Sequence, residues 1–282
     1  MPRWNAWGAA FGGGVWNAGV ASIGSHDTSS AAGGFAAGAD YHVSPDTMLG
    51  FAVAGSGAGW SLSQGLGGGR SDVFQVGVYG VHDFGPAYVA AALDASNYWT
   101  TTNRTVTLPG GGAYAANFDA QSFGARLESG YRLPLTGFTL TPYGALQAIS
   151  FQAPAYAESA AAGGPGFALN YASQSATDTR FELGAWADKT FVLADGDALK
   201  LFGRAAFVHD WQNNPAVAAT FQDLTTATFV VNGARPAPNQ ALIAVGAEWR
   251  FAKNWTLMAK FQGEFGQGSQ SYNAAARLSY AW

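Results

Sequence analysis

The last ten residues, 273–282, read NAAARLSYAW, and their side chains alternate in character. Arg277 and Ser279 lie on one parity, and the other parity is apolar throughout: Ala274, Ala276, Leu278, Tyr280 and Trp282. Since alternate side chains of a strand point to opposite faces, this period of two predicts a β-strand. Chain termini usually fray. A regular strand that runs to the final residue therefore predicts that its end is held by another part of the protein.

The same period of two recurs along most of the chain. In the segment 255–265, Trp255, Leu257 and Phe261 share one parity, while Lys260 and Glu264 occupy the other. About twelve segments follow this pattern or a weaker form of it: 7–14, 35–41, 48–55, 74–80, 88–96, 123–131, 140–150, 179–188, 199–207, 243–251, 255–265 and 272–282. We therefore predict an all-β protein of about twelve strands, each with one apolar and one more polar face.

The composition narrows the possible classes of β protein. Charged residues make up 11% of the 282 residues, against about 25% in an average soluble domain, and aromatic residues reach 14%. Mean hydropathy is +0.02, the near-zero average expected when apolar and polar residues alternate. No run of about 18 apolar residues predicts a membrane helix. The net charge of −4 with scattered basic residues argues against nucleic-acid binding, and the absence of cysteine excludes disulfides and thiolate metal sites.

The connections between the predicted strands alternate in length. Short turns, each punctuated by Pro, Gly, Asn or Asp, are predicted at 42–47, 82–87, 132–138, 193–198 and 251–255. Longer polar or Gly/Ser-rich connections are predicted at 13–32, 56–71, 99–117, 153–177 and 212–237, and the last connection, 266–271, is brief. This alternation is typical of an outer-membrane antiparallel β-barrel, with short periplasmic turns and long extracellular loops.

A closed barrel would satisfy every backbone hydrogen bond, leave no sheet edge, and give each strand face a role. The apolar face would meet lipid. Aromatic residues near the short turns would form an interfacial girdle: Tyr41, Phe84, Tyr131, Phe191, Phe251, Trp255 and Trp282. A soluble antiparallel sheet is the alternative, but its second layer would need a matching apolar face, and each segment offers only a single apolar face.

The polar parity of the strands supplies the candidate lumen lining: Asp40, Tyr79, Arg126, Glu128, Arg180, Glu182, Lys200, Arg204, Glu248, Arg250, Lys260, Glu264 and Arg277. Several of these are opposite charges two residues apart, and we expect them to pair because an unpaired charge in a confined lumen is costly. Two interpretations stay open, a structural ladder of ion pairs or a lining for a polar segment that threads the pore. Twelve strands predict a bore about wide enough for one helix or an extended hairpin.

No catalytic, cofactor or metal site is predicted. The histidines, at 26, 42, 82 and 209, have no serine or acid at triad spacing. The glycine-rich GLGGGR at 65–70 lacks the Gly-Lys-Ser/Thr ending of a phosphate loop. Four acids assigned to loops are interpreted as isolated: Asp27, Glu158, Asp178 and Asp223. A barrel lipid hydrolase whose Ser and His meet across strands remains an alternative that spacing does not test.

Several segments resemble the autotransporter β-domains, the type V secretion translocators of Gram-negative bacteria. The resemblance extends over essentially the whole chain, and its most specific part is GADY, a short turn and then G-x-A-x-A-G, within GADYHVSPDTMLGFAVAG (38–55). The other segments are WGAAFGGG (7–14), QVGVYG (75–80), LTPYGALQ (140–147), TRFELGAW (179–186) and ARLSYAW (276–282).

The resemblance implies an outer-membrane barrel that helps an N-terminal passenger reach the cell surface, with a linker helix in the lumen. We expect residues 1–282 to form this single translocator domain, without passenger, linker helix or signal peptide. The implied partners are outer-membrane lipid, the passenger and linker helix, and the barrel-assembly machinery with periplasmic chaperones, and we expect a monomer without nucleic acid or cofactor. Leu278, Tyr280 and Trp282 resemble the terminal signal that the assembly machinery reads. A passive small-solute channel is the alternative function.

Overall fold

The computed structural model describes residues 3–20, 22, 24–194, 196–212, 216–232 and 237–282. These residues form an all-β structure whose strands are β1 (Trp4–Asn17), β2 (Thr28–Ser44), β3 (Thr47–Leu62), β4 (Gly67–Phe84), β5 (Ala87–Thr105), β6 (Ala113–Tyr131), β7 (Leu133–Leu135), β8 (Phe138–Ala153), β9 (Tyr156–Ala157), β10 (Ser159–Ala162), β11 (Leu169–Tyr171), β12 (Gln174–Val192), β13 (Ala198–Gln212), β14 (Ala216–Phe221), β15 (Thr228–Asn232), β16 (Asn239–Phe251), β17 (Trp255–Gly266) and β18 (Ser269–Ala281). Short 3₁₀ helices lie at Ser63–Gly65 and Pro165–Phe167. Within the described parts of the chain, no helix has the length and apolar character needed to cross a membrane.

Twelve of the strands close into an antiparallel barrel. Its ring runs β1 to β6, then β8, β12, β13, β16, β17 and β18, and closes where β18 pairs with β1. Each barrel strand thus pairs with the barrel strands that precede and follow it, and the sheet has no open edge within this ring. The predicted fold class and strand number are confirmed.

The final strand is held along its length by the first strand. The register of β1 against β18 runs from Asn5 opposite Ala281 to Asn17 opposite Ser269. At the very end, the Trp282 amide donates to the Trp4 carbonyl at 2.9 Å, and the Trp4 amide donates to the Trp282 carbonyl at 3.1 Å. The chain terminus is therefore a paired part of the sheet, because barrel closure supplies it with a neighbour.

The strands extend into three of the predicted loops. Only residues 18–27 separate β1 from β2, residues 63–66 separate β3 from β4, and residues 106–112 separate β5 from β6. The predicted loops at 13–32, 56–71 and 99–117 are wrong over much of their length. Ladder hydrogen bonds use backbone groups alone, so Gly- and Ser-rich sequence can pair as well as sequence rich in larger side chains.

The two longest connections fold into structure of their own. The connection 153–177 contains β9, β10 and β11, and the connection 212–237 contains β14 and β15. The strands β15, β14, β11 and β9 pair in that order as a second sheet, whereas β10 adds to the barrel strand β6. Residues 213–215 and 233–236 of the second connection lie outside the described residues.

The side chains that face outward from the barrel strands are mostly apolar and exposed. Leu93, Val78 and Leu183 are between 56% and 58% exposed, as expected of side chains that meet lipid. Aromatic side chains gather near the short turns, where the Trp4 and Tyr41 rings lie 4.7 Å apart and the Trp255 and Tyr280 rings lie 4.9 Å apart. Such a band of rings is the girdle expected at a membrane interface.

Candidate functional site

The strand register places all the candidate lumen residues on one face of the sheet. Residues directly opposite each other share a face, and Arg126 lies opposite Gln147, which lies opposite Arg180. This face is the inner one, because Arg180 contacts Glu264 at 2.8 Å although β13 and β16 lie between their strands. A side chain can make that contact only on the inner side of the ring.

Glu182 on β12 is the centre of the lumen charges. It is 4% exposed, and its carboxylate lies 2.9 Å from Arg126 Nη2, 3.2 Å from Arg180 Nε, and in contact with Arg204 Nη2. The Tyr143 hydroxyl lies 3.3 Å from the same carboxylate. Burial of this carboxylate is compensated by three cations, so it serves as a common anchor for β6, β12 and β13.

The network continues outward from Glu182 along neighbouring strands. Arg126 also pairs with Glu128 at 2.8 Å, and the Tyr88 hydroxyl donates to Glu128 at 2.8 Å. Arg204 Nε donates to the Tyr143 hydroxyl at 2.6 Å, and its guanidinium lies 5.0 Å from the Trp186 ring centre. Together with the Arg180–Glu264 pair, these contacts cross-link one continuous arc of the wall from β5 to β17.

Two further ion pairs lie near the short-turn end, and of these only Glu248–Arg250 was predicted from the sequence. Lys200 lies 3.5 Å from Asp188, and Arg250 lies 2.8 Å from Glu248. The Arg250 side chain is 62% exposed, so this pair is solvated and contributes little to stability.

The opposite arc of the wall carries a smaller polar cluster. The Tyr79 hydroxyl donates to Asp40, and it accepts a hydrogen bond from Trp7 Nε1 at 2.8 Å. Glycines make room for these rings, since a Cβ at Gly50 would collide with the Tyr79 ring and one at Gly38 would lie 2.5 Å from Trp7. Trp7 was not among the predicted lumen residues, and its parity within the first strand was the one sequence signal for it.

Small residues dominate the rest of that arc, on β18, β1, β2 and β3. The inward positions include Ala9, Gly13, Ala36, Ala52, Ala54, Ser56 and Ala275. A cavity of about 460 Å³ lies against part of this arc, and its lining includes Phe11, Gly13, Ala32, Asn273, Ala275 and Lys260. The lumen is therefore asymmetric, with a filled charged arc facing an open small-residue arc.

A second cavity of about 470 Å³ has much of its lining near the short turns. It is lined by Tyr88, Arg132, Trp186, Lys200, Lys260 and Arg277, with Asp188 and Glu248 as its acidic groups. Lys260 borders both cavities. Among the described residues, no carboxylate lies within ion-pair distance of Lys260 or Arg277, whereas Lys200 is paired.

The second sheet, formed by β9, β11, β14 and β15 and called the loop sheet below, contacts inward-facing residues of the barrel at the end opposite the short turns. Glu158, interpreted above as isolated, is paired with Arg104 through contacts of 2.9 and 2.6 Å, and it also accepts from the Tyr171 hydroxyl at 3.1 Å. The Tyr156 ring stacks at 4.1 Å on Phe118, an inward residue of β6. Burial and the nearby Glu158 carboxylate raise the pKa of Tyr156 to about 12. Loop folding brings this cluster together from distant segments, so no sequence spacing signals it.

The remaining acids and the terminal residues have simpler surroundings. Asp27 accepts from the Gly19 amide at 2.7 Å, and Asp178, assigned above to a loop, lies within β12. Leu278, Tyr280 and Trp282 point outward and are 43%, 37% and 53% exposed. In the described parts of the chain, no group of three or more His, Asp or Glu is placed to hold a metal ion.

Known proteins with a similar sequence pattern or fold identify the family to which the barrel is related. A model of the family described as autotransporter beta-domain matches residues 6–262. The fold is similar to the β-domain of the Bordetella autotransporter BrkA (TM-score 0.76, 16% identity, covering 99% of this chain and 100% of that one). It is also similar to the translocator domain of NalP from Neisseria meningitidis (0.74, 15%, 100% and 89%) and to the transport unit of AIDA-I from Escherichia coli (0.56, 15%, 98% and 90%). No curated protein sequence matches the chain significantly.

Proposed function

The chain belongs to the autotransporter β-domain family, and from this premise we propose that it is an outer-membrane translocator that supports the export of an N-terminal passenger. The observation that carries the proposal is the asymmetric lumen of a closed twelve-strand barrel. One arc is cross-linked by ion pairs, and the other is lined by small residues beside a cavity of about 460 Å³. A stiff wall facing open space suits a conduit through which a polypeptide segment passes.

The membrane location and the partners are part of the same proposal. The exposed apolar band and the ring girdle support insertion in the outer membrane of a Gram-negative bacterium. The barrel would act as a monomer, assembled by the barrel-assembly machinery with periplasmic chaperones, and its lumen would hold the linker helix of its passenger. Residues 1–282 would form this single domain.

We also propose that the barrel performs no catalytic chemistry of its own. His82 Nδ1 is 2.7 Å from the Thr47 hydroxyl and His209 Nδ1 is 2.7 Å from the Asn239 amide oxygen. Each of these imidazoles thus bonds with a neighbouring-strand residue of the barrel wall, an arrangement that supports a structural role.

The decisive experiment is surface display of a tag. A signal peptide, an epitope tag and a helical linker are fused ahead of Arg3, and intact cells are treated with external protease. We expect the tag to be removed, and we expect a tag on a barrel that fails to assemble to be protected. A known translocator that exports the same tag serves as the positive control. An assembled barrel that leaves the tag in the periplasm would refute the export function and favour the solute channel.

A further inference from the structure

Among the residues that the structure describes, two cations of the lumen lack the carboxylate partners that the other lumen cations have. Arg126, Arg180 and Arg204 each contact a carboxylate. Among the described residues, Lys260 Nζ has only the Gln262 side-chain oxygen, at 3.3 Å. Within the part of the chain that the structure describes, Arg277 Nε is buried without a hydrogen-bond partner.

Lys260 and Arg277 line the same inner cavity, which carries a surplus of positive charge. Its lining includes four basic side chains, Arg132, Lys200, Lys260 and Arg277, and two acidic ones, Asp188 and Glu248. Arg132 is paired at 2.9 Å with Asp83, so among the described residues the surplus rests on Lys260 and Arg277. Both acids already contact a cation other than Lys260 and Arg277. Asp188 contacts Lys200 at 3.5 Å, and Glu248 contacts Arg250 at 2.8 Å. A desolvated cation without a counter-ion is costly, so this cavity favours an anionic group.

The barrel also has space for the segment that would carry this group. Twelve strands about 4.8 Å apart and tilted by about 40° give a backbone-to-backbone diameter of about 24 Å. A helix with its side chains measures about 10–12 Å across, and the small-residue arc leaves it that room. Lys260 borders both the inner cavity and the cavity beside this arc, so a helix lying there would pass it.

We propose that Lys260 and Arg277 form a carboxylate-binding site, which takes an acidic side chain of the helical segment that occupies the lumen. This inference rests on the proposed function and names the chemistry of its lumen partner. The partner helix would carry an Asp or Glu at the level of Lys260 and small residues on the face that meets Ala36, Ala54 and Ala275.

The test measures peptide binding to the folded barrel in detergent. Two fluorescein-labelled, alanine-rich helical peptides of 20 residues differ only at their centre, where one carries Glu and the other Gln. Fluorescence anisotropy gives the dissociation constant of each peptide. We expect the Glu peptide to bind wild-type barrel about tenfold more tightly, and we expect this ratio to shrink at high salt, which screens the charge.

Matched variants assign the ratio to the two cations. The double change Lys260→Gln with Arg277→Gln should bring the ratio close to one, Lys260→Arg should keep it, and Lys200→Gln, which alters a paired cation of the same cavity, should also keep it. Heat-modifiable mobility on gels confirms that each variant is folded. If the double variant does not fold, the wild-type ratio and the conservative arginine variant still decide the question.

Two results would overturn the inference: equal binding of both peptides to wild-type barrel, including no binding of either, or a tenfold ratio that persists in the folded double variant. The surface-display experiment is scored separately. Display without a charge preference would remove this inference alone, and a charge preference without display would remove the export function alone.

Discussion

Changing Glu182 to glutamine tests the central lumen network most directly. The carboxylate accepts from Arg126 at 2.9 and 3.1 Å, from Arg180 at 3.2 Å and from Arg204. After the change, Arg126 and Arg180 each keep another carboxylate at 2.8 Å. Arg204 loses the one carboxylate that it contacts among the described residues, and its side chain is 8% exposed.

The expected cost follows from that uncompensated cation. Removing one partner of a buried ion pair costs about 3–5 kcal/mol, because the remaining charge is left desolvated. The glutamine oxygen and the Tyr143 hydroxyl still accept from the guanidinium, so we place the loss of unfolding free energy at about 3 kcal/mol. The matched change Glu248→Gln removes a pair in which Arg250 is 62% exposed and should cost less than about 1 kcal/mol.

The assay is equilibrium unfolding in urea of barrel folded into lipid vesicles, followed by tryptophan fluorescence. A difference below about 1 kcal/mol between the Glu182 and Glu248 variants would refute the assignment of Glu182 as the common anchor. A second variant tests whether the uncompensated charge of Arg204 causes the loss. Adding Arg204→Met to the Glu182→Gln variant removes this charge and should restore part of the lost free energy of unfolding.

Three further changes examine the chain end, the outer loops and the small-residue arc. Deleting Trp282 should lower the yield of heat-modifiable barrel in the outer membrane, because the pairing at the chain end is lost; an unchanged yield would count against an assembly role. Changing Glu158 to Gln should speed cleavage of the outer loops by protease added to intact cells, and digestion at the wild-type rate would show that the loop sheet is held in some other way. Replacing Gly50 with alanine drives a Cβ into the Tyr79 ring and should cost about 1–3 kcal/mol in the urea assay. The matched change at Gly55, where a Cβ meets nothing within 4 Å, should leave the urea midpoint unchanged.

The parity of residues was the most informative signal in the sequence. Strand geometry forces alternate side chains to opposite faces, so Glu182 and Arg204 could be assigned to the polar face and Leu183 to the apolar face without knowing the register. The contact partners needed more. Arg180 meets Glu264 because of the stagger of strands around the ring, a three-dimensional property that spacing along one strand does not contain.

The outer loops were the least predictable region. Their strands are two to six residues long, too short for a periodic pattern to stand out from chance. The Arg104–Glu158 pair joins residues 54 positions apart, and nothing near either residue signals the other. The Gly- and Ser-rich ends of β3 and β4 misled the prediction in the opposite direction, because glycine is frequent in loops and yet pairs freely in a ladder.

The seam between β1 and β18 has a consequence for the timing of folding. Among the described barrel strands, every pairing except this seam joins two barrel strands that are consecutive in the chain. The seam instead joins the first strand to the last, with Asn5 opposite Ala281. The first strand thus waits for its second neighbour until β18 has been synthesised.

During that interval β1 is an exposed, glycine-rich edge, the kind of surface on which chains aggregate. Bringing β18 to β1 closes a loop of almost the whole chain, and the conformational entropy lost in this closure falls on that single pairing step. We therefore expect the half-life of the unclosed sheet to set how long this chain depends on protection by other proteins, and the completed barrel to have no further need of it.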